Sequence, residues 1–177
     1  MFTYSVFHKH DREQVVEVIN RVAAENRFLQ TGCYVSSLTW ENLLACGVDQ
    51  ENGYLLLTVY DSKELAGFVR LSPEDLGGRY TGNVGIVLLP KHRYKRIGTK
   101  LLDFIVNIAP VFGYKSLVAD ILFDNFVSLR LFTGRGFTQC SSRNLYLRHR
   151  NAVVEEVKMK FFLRDCQGKH NVELPND

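Results

Sequence analysis

No two cysteines in this chain are spaced Cys-x-x-Cys. The four present, Cys33, Cys46, Cys140 and Cys166, are scattered, so a zinc site built on paired thiolates has no support and no metal is expected. Residues Met1 to Asp11 lack a basic start followed by an apolar run, so no secretory leader is expected. Free thiols in a reducing cytoplasm follow from that reading. No apolar stretch approaches the length of a membrane span, so no membrane partner is expected. Charge of one sign is also scarce. The formal net charge is +3 and the sequence pI is about 8.7, too small an excess to argue for nucleic acid. It does suit an anionic ligand such as a nucleotide cofactor. Repeats, low-complexity segments and linkers are absent.

What is there reads as one domain of mixed α and β over residues 1–164, followed by a polar tail at 165–177. The 177 residues are 46% hydrophobic and 23% charged, ordinary values for a globular chain. Residues 2–7 read as a short strand. Asp11 and Gln14 resemble a helix-start pair, and Val15, Val18, Ile19, Val22 and Ala23 recur at helical spacing, which predicts a helix over 11–25. A polar and aromatic stretch covers 26–37, and a second short helix holds Trp40, Leu43 and Leu44. Residues 54–60 and 65–71, joined by Asp61-Ser62-Lys63, read as an antiparallel hairpin. A loop is expected over 72–78 and a strand over 79–89, interrupted by Gly82 and Gly85. Ile97, Leu101, Leu102, Ile105, Ile108, Ala109 and Phe112 then share one helix face. Residues 115–123 form a buried strand, and Asp124 or Asn125 caps a helix ending at Gly134 or Gly136. Two strands follow between 137 and 163, with the turn at 141–144 or at 148–151.

The stretch most informative about chemistry runs from Gly85 to Leu102. It sets a strand, a basic loop and a helix start in immediate succession. The first turn of a helix has N–H groups without partners and a partial positive charge, which suits a phosphate. Gly98 admits close backbone approach, Thr99 adds a hydroxyl, and Arg93, Lys95 and Arg96 add charge. A diphosphate fits such a turn best. A plain solvated basic turn is the competing reading.

Arg93-Tyr94-Lys95-Arg96-Ile97-Gly98 resembles the acetyl-CoA-binding motif of the GCN5-related N-acetyltransferases (GNAT), written [QR]-x-x-G-x-[GA], with Arg96 where the family usually has glycine. Asn125 to Phe137 resembles the family's N-x-x-[AS]-x-x-x-[YF]-x-x-x-G-F segment, with Ser128 and Phe132 at its internal positions. The order and spacing of the two segments match the family over residues 54–137. The resemblance implies an α/β fold of the acyl-CoA N-acyltransferase type: a mixed sheet, flanked by helices, whose strands at 79–89 and 115–123 splay apart. It implies a pantetheine arm paired with the backbone of Ile86, Val87 and Leu88 and touching Asn125, Ser128 and Phe132. The pyrophosphate would lie on Arg93, Tyr94, Lys95, Arg96, Ile97, Gly98 and Thr99.

The activity so implied is N-acetyl transfer from acetyl-CoA to a primary amine, small or on a protein, by direct attack in a ternary complex. The family's strand glutamate is missing, because 79–89 contains no Asp, Glu or His. Asp120 is the candidate base, and a structural, ion-paired aspartate is its competing reading. His92 is expected to be solvated. The usual tyrosine acid is replaced by Phe132. An acyl-CoA-binding module with little catalysis is therefore the alternative, and transfer of a longer acyl group a further one. Residues 26–44, with Phe28, Tyr34 and Trp40, are expected to form the acceptor wall. Residues 152–163 are long and apolar enough to pair with a second copy, giving a homodimer, or else to pair within their own sheet.

Overall fold

The computed structural model describes residues 1–74 and 80–163. Eight strands form one mixed sheet: β1 (Phe2–Val6), β2 (Val48–Asp49), β3 (Tyr54–Asp61), β4 (Glu64–Pro73), β5 (Thr81–Leu88), β6 (Ser116–Leu122), β7 (Thr138–Leu147) and β8 (Ala152–Phe162). Among the described residues four α-helices accompany it: α1 (Arg12–Ala23), α2 (Leu38–Cys46), α3 (Ile97–Ile108) and α4 (Phe126–Thr133). The strand order is β1-β3-β4-β5-β6-β8-β7, and β2 pairs with β3. This is the mixed, helix-flanked α/β sheet expected from the sequence.

Helices cover both faces. One apolar cluster joins Leu55, Leu57 and Val59 of β3 to Ile97, Leu101 and Ile105 of α3. The other joins Leu56 and Phe68 to Val15, Val18 and Ile19 of α1 and Leu43 and Leu44 of α2. Strand alternation sends successive side chains to opposite faces, so both clusters are built from the same strands. A bulge shifts the β3–β4 register between Val59 and Tyr60, where Val59 faces Gly67 but Tyr60 faces Leu65. It changes which residues of β4 face α1, and beyond it Phe68 and Arg70 share that face.

The feature that makes a site is the way β5 and β6 part. They pair in parallel only over Thr81–Asn83 with Ser116–Val118. β6 stays paired on its other edge to β8 from Ser116 to Leu122, while β5 stays paired to β4 as far as Leu88. Each strand follows its antiparallel neighbour, and a wedge opens between Val84 and Ala119.

Several boundaries differ from the sequence expectation. β4 runs on through Ser72 and Pro73, which were expected in a loop. The long helix ends at Ile108, because Pro110 cannot supply the next helical N–H, and continues as one 3₁₀ turn over Ala109–Phe112. The last hairpin turns at Arg148–Asn151, where Asn151 takes φ 47°, and not at 141–144. β8 has β6 on one side and β7 on the other, so its edges are filled within the chain. The polar tail expected at 165–177, with Cys166, lies outside the described residues.

Candidate acyl-CoA and amine site

The turn between β5 and α3 has the backbone geometry of a candidate anion site. Tyr94 and Arg96, on either side of Lys95 just before the helix, have left-handed φ of 62° and 63°. A turn of this kind can gather successive N–H groups into an anion-sized concavity. From Tyr94 through Thr99 no N–H has a recorded acceptor among the described residues, and the first helical bond of this stretch is that of Lys100 to Arg96. Gly98 sits against α4: a Cβ there would meet Leu131 Cδ2 at 3.2 Å. Arg96 therefore takes the left-handed conformation that glycine supplies more cheaply, at a cost of about 1–2 kcal/mol.

The cations divide into two groups. Arg93 is committed inward. Its Nη atoms bind both oxygens of Glu25 at 2.6 and 2.7 Å, its Nε donates to the Leu88 carbonyl at 3.0 Å, and its guanidinium lies 4.4 Å from the Phe28 ring centroid. Lys91 pairs with Glu64. Lys95 and Arg96 are exposed and, among the described residues, have no carboxylate within ion-pair distance. The turn's charge is thus carried by Lys95 and Arg96, while Arg93 joins the turn to the end of α1. His92, expected in solvent, is 2% exposed and meets Phe2 edge-on at 5.8 Å. Burial, aided by Lys91, pushes its pKa below the usual histidine range despite the opposing pull of Asp61.

Behind the turn, the wedge between β5 and β6 holds a cavity of about 320 Å³ lined by Val84 to Val87, Ala119 to Leu122, Asn125, Ser128 and Phe132. A smaller space of about 90 Å³ continues past Ile86, Val87 and Leu88 to Arg93 and Gly98. Leu89 N–H donates to Ala66 of β4, so by alternation the N–H groups of Leu88 and Ile86 face the wedge and that of Val87 faces β4. Val87 contributes its side chain to the wedge instead. Asn125 is 6% exposed and caps α4, its Oδ1 accepting from Ser128 N–H at 3.2 Å. Capping and lining the cavity are compatible roles for it. Phe132 is 3% exposed and packs edge-on against Phe137 at 5.0 Å.

The opposite end of the cavity is polar. On the α1/α2 face, past the helices, the sheet presents Arg70 (β4), Asn83 (β5), Asp120 (β6) and Glu156 with Lys158 (β8). Loop residues Phe28, Leu29, Gln30 and Thr31 lie across them, with Trp40 from α2. Asn83 Nδ2 donates to Asp120 and to Glu74, each at 2.8 Å. Lys158 pairs with Glu74 and lies 3.3 Å from Asp120 Oδ1. Burial would lower the Lys158 ammonium, but the Glu74 and Asp120 carboxylates outweigh it and hold it above the usual range. Glu156 is 2% exposed, accepts from Arg143 Nε at 2.6 Å and from Gln30, and is raised above the ordinary carboxylate range mainly by burial. Asp120 therefore sits in an ion-paired network, the environment of its competing reading, and still lines the cavity.

Of the residues expected from the sequence, the two strand ends, the turn and the α4 start converge on the wedge. Phe28 and Trp40 reach it from the acceptor side, while Tyr34 packs edge-on against Trp40 at 6.0 Å. The sequence reading missed Arg70, Asn83, Glu74, Glu156 and Lys158. Arg70 had a readable signal, being the only charge in the apolar run Leu65–Leu71.

A parted mixed sheet with a turn of open N–H groups at the mouth of the gap is the layout of an acyl-CoA transferase class of fold. The sequence model of the acetyltransferase (GNAT) family matches residues 19–137, about two thirds of the chain, and the chain belongs to that family. Its fold is that of an acetyltransferase of the GNAT family from Streptococcus pneumoniae (19% identity, 93% of this chain and 100% of the other, TM-score 0.78). The same fold is found in yncA from Salmonella typhimurium, solved with its cofactor acetyl-CoA (23%, 94% and 96%, 0.78). It recurs in a phosphinothricin acetyltransferase from Sinorhizobium meliloti in complex with acetyl-CoA (19%, 97% and 94%, 0.77). No curated protein matches in sequence. Among the described residues no helix is long and apolar enough to cross a membrane, and no group of three or more His, Cys, Asp or Glu side chains could hold a metal. Cys33, Cys46 and Cys140 are exposed and free.

Proposed function

We propose that this chain is an N-acetyltransferase that moves the acetyl group of acetyl-CoA to a primary amine by direct attack in a ternary complex. The observation that carries this reading is the continuity of one path: six N–H groups at the turn without acceptors among the described residues, the open edge of β5, and a cavity ending among polar side chains. The pyrophosphate takes the N–H groups of Tyr94 to Thr99, with Lys95 and Arg96 beside it. The pantetheine arm pairs with Ile86 and Leu88 as an added strand, and Val87, Asn125, Ser128 and Phe132 shape its slot. Holding thioester and amine together supplies much of the acceleration, since attack becomes unimolecular. The Ile86 or Leu88 N–H polarises the thioester carbonyl. Asp120 takes the amine proton directly or through water.

Two observations favour the alternative of a weakly catalytic acyl-CoA-binding module. Phe132 offers no proton to the departing thiolate, and Asp120 is shared with Lys158 and Asn83. Calorimetric titration with acetyl-CoA, followed by free-thiol release across an amine panel, separates the readings. Binding with thiol release is the expected result. Binding without release across the panel supports the module, and no binding overturns both.

A further inference from the structure

Two arginines outside the proposed acetyl-CoA path line the cavity, Arg70 and Arg143, and Arg143 is paired with Glu156. Arg70 lies in β4 on the face of Phe68, with Trp40, Ser72 and Asn83 around it and the Glu74 and Asp120 carboxylates acting on it from beyond ion-pair distance. Its Nη1 donates to Ser72 Oγ at 3.1 Å. Among the described residues no carboxylate comes within ion-pair distance of it, although Arg93, Arg143 and Lys158 each have one. The sheet keeps room for this side chain. Gly85 stands directly opposite in the β4–β5 register, and a Cβ there would fall 2.9 Å from Arg70 Nε and 3.3 Å from Cζ. The Trp40 ring lies on the other side, 5.9 Å from Cζ. The guanidinium is thus held over bare backbone at the cavity wall. A partly buried guanidinium without a direct counter-ion is costly to maintain, and it selects for a planar oxyanion that can accept two parallel hydrogen bonds.

A second group in the same cavity is under-used. Asp120 Oδ1 is buried and, among the described residues, makes no aligned hydrogen bond; the Lys158 ammonium lies 3.3 Å from it. Arg70 and Asp120 project from the same face of the sheet, on strands either side of Asn83 and Gly85 of β5.

We propose that Arg70 binds a carboxylate carried by the acceptor itself, so that the substrate is a small free amino acid whose ammonium end is received at Asp120. This inference rests on the acetyl-transfer reading above and names its substrate class. It excludes a protein N-terminus, whose α-carbonyl is an amide and offers Arg70 no charge. Trp40, Phe28 and Leu29 cover the space left for the side chain.

The test compares L-amino acids with their own carboxamides as acceptors. The carboxamide keeps the size and has the less basic amine, so intrinsic reactivity favours it. For wild type, kcat/KM is expected to be at least about tenfold higher for the acid, the worth of one charged hydrogen-bonded pair. Arg70→Gln should erase that preference by raising KM for the acid, leaving acetyl-CoA affinity and carboxamide turnover within about threefold, as for a change confined to one contact. Arg70→Lys should restore part of it. Equal use of acid and carboxamide by wild type, or a preference that survives in Arg70→Gln, overturns the proposal. If acetyl-CoA binds and no acceptor releases thiol, the transfer reading itself fails. Titration of the same pairs into the CoA-loaded protein then still decides on Arg70: acid-selective binding lost in Arg70→Gln supports the assignment, and equal binding rejects it.

Discussion

The two halves of the cleft are made of different materials. The half proposed for the donor, from β5 through the turn to α3, is made of backbone: N–H groups, a bare glycine and an open strand edge. The acceptor half is made of side chains from β4, β5, β6, β8 and the 26–37 loop, held by ion pairs. A backbone site tolerates changes of side chain so long as the chain path survives. A side-chain site fails when one partner leaves, because the others are then buried and unpaired. The difference predicts separate failure of the two halves.

The largest effect is expected at Lys158. Lys158→Met leaves Glu74 and Asp120, whose side chains are 10% and 18% exposed, without their shared cation. Stability at neutral pH should fall by about 3 kcal/mol, the range for removing one member of a buried pair. The pH dependence identifies the cause. Burial raises the Glu74 carboxyl, yet the hydrogen bonds from Lys158 and Asn83 outweigh it and leave it below its ordinary 4.5. Its contribution is therefore fully present above about pH 4.5 and lost as pH falls through the folded value. The gap between wild type and Lys158→Met in urea midpoint should narrow in acid. A gap that stays constant from neutral pH to pH 4 would assign the loss to packing instead. Acetyl-CoA affinity should be nearly unchanged in the variant, since the donor half does not use Lys158.

Two glycines on the same segment give a sharper contrast. Gly98→Val drives side-chain atoms into Leu131, where even a Cβ stands at 3.2 Å, and covers the turn's N–H groups. Acetyl-CoA affinity should fall about 30-fold, or ~2 kcal/mol, within the usual cost of overpacking. Gly85→Val instead displaces the Arg70 guanidinium. It should spare acetyl-CoA binding and lower kcat/KM for a carboxylate-bearing amine by about tenfold, through KM. Equal loss of donor affinity in both variants would show that the halves are not separable.

The same contrast explains how much was legible in the sequence. A backbone site is contiguous, so Gly85 to Leu102 displayed the strand, turn and helix start together, and Asn125 showed its cap. The fold was legible because Val15, Val18 and Ile19, or Leu101 and Ile105, carry their periodicity locally. The acceptor cluster was not. Arg70, Asn83, Asp120 and Lys158 meet only because β5 lies between β4 and β6, and β8 returns beside β6. Glu25 comes within 2.6 Å of Arg93 only through the fold, 68 residues away along the chain. His92 looked solvated because its neighbours in sequence, Lys91 and Arg93, are charged. Its burial comes from Phe2, ninety residues away along the chain.

The smallest effect tests the donor half at the residue where it departs from its family's pattern. Arg96 holds φ 63° and ψ 6° as the residue preceding α3, with no side-chain hydrogen bond to the cap. Glycine there would relieve about 1–2 kcal/mol of left-handed strain, while its freer unfolded chain costs back up to about 1 kcal/mol. Arg96→Gly should therefore gain about 0.5 kcal/mol, read as a higher urea midpoint. It also removes one of the two turn cations that have no carboxylate within ion-pair distance among the described residues, so acetyl-CoA should bind a few-fold more weakly at low salt and nearly as well at high salt, where exposed charge is screened. If stability rises and affinity shows that salt pattern, the turn is a backbone site to which Arg96 adds only charge. If stability falls by 1 kcal/mol or more, the arginine side chain is itself holding the turn, and the division into a backbone half and a side-chain half fails at the place where it is most exposed to test.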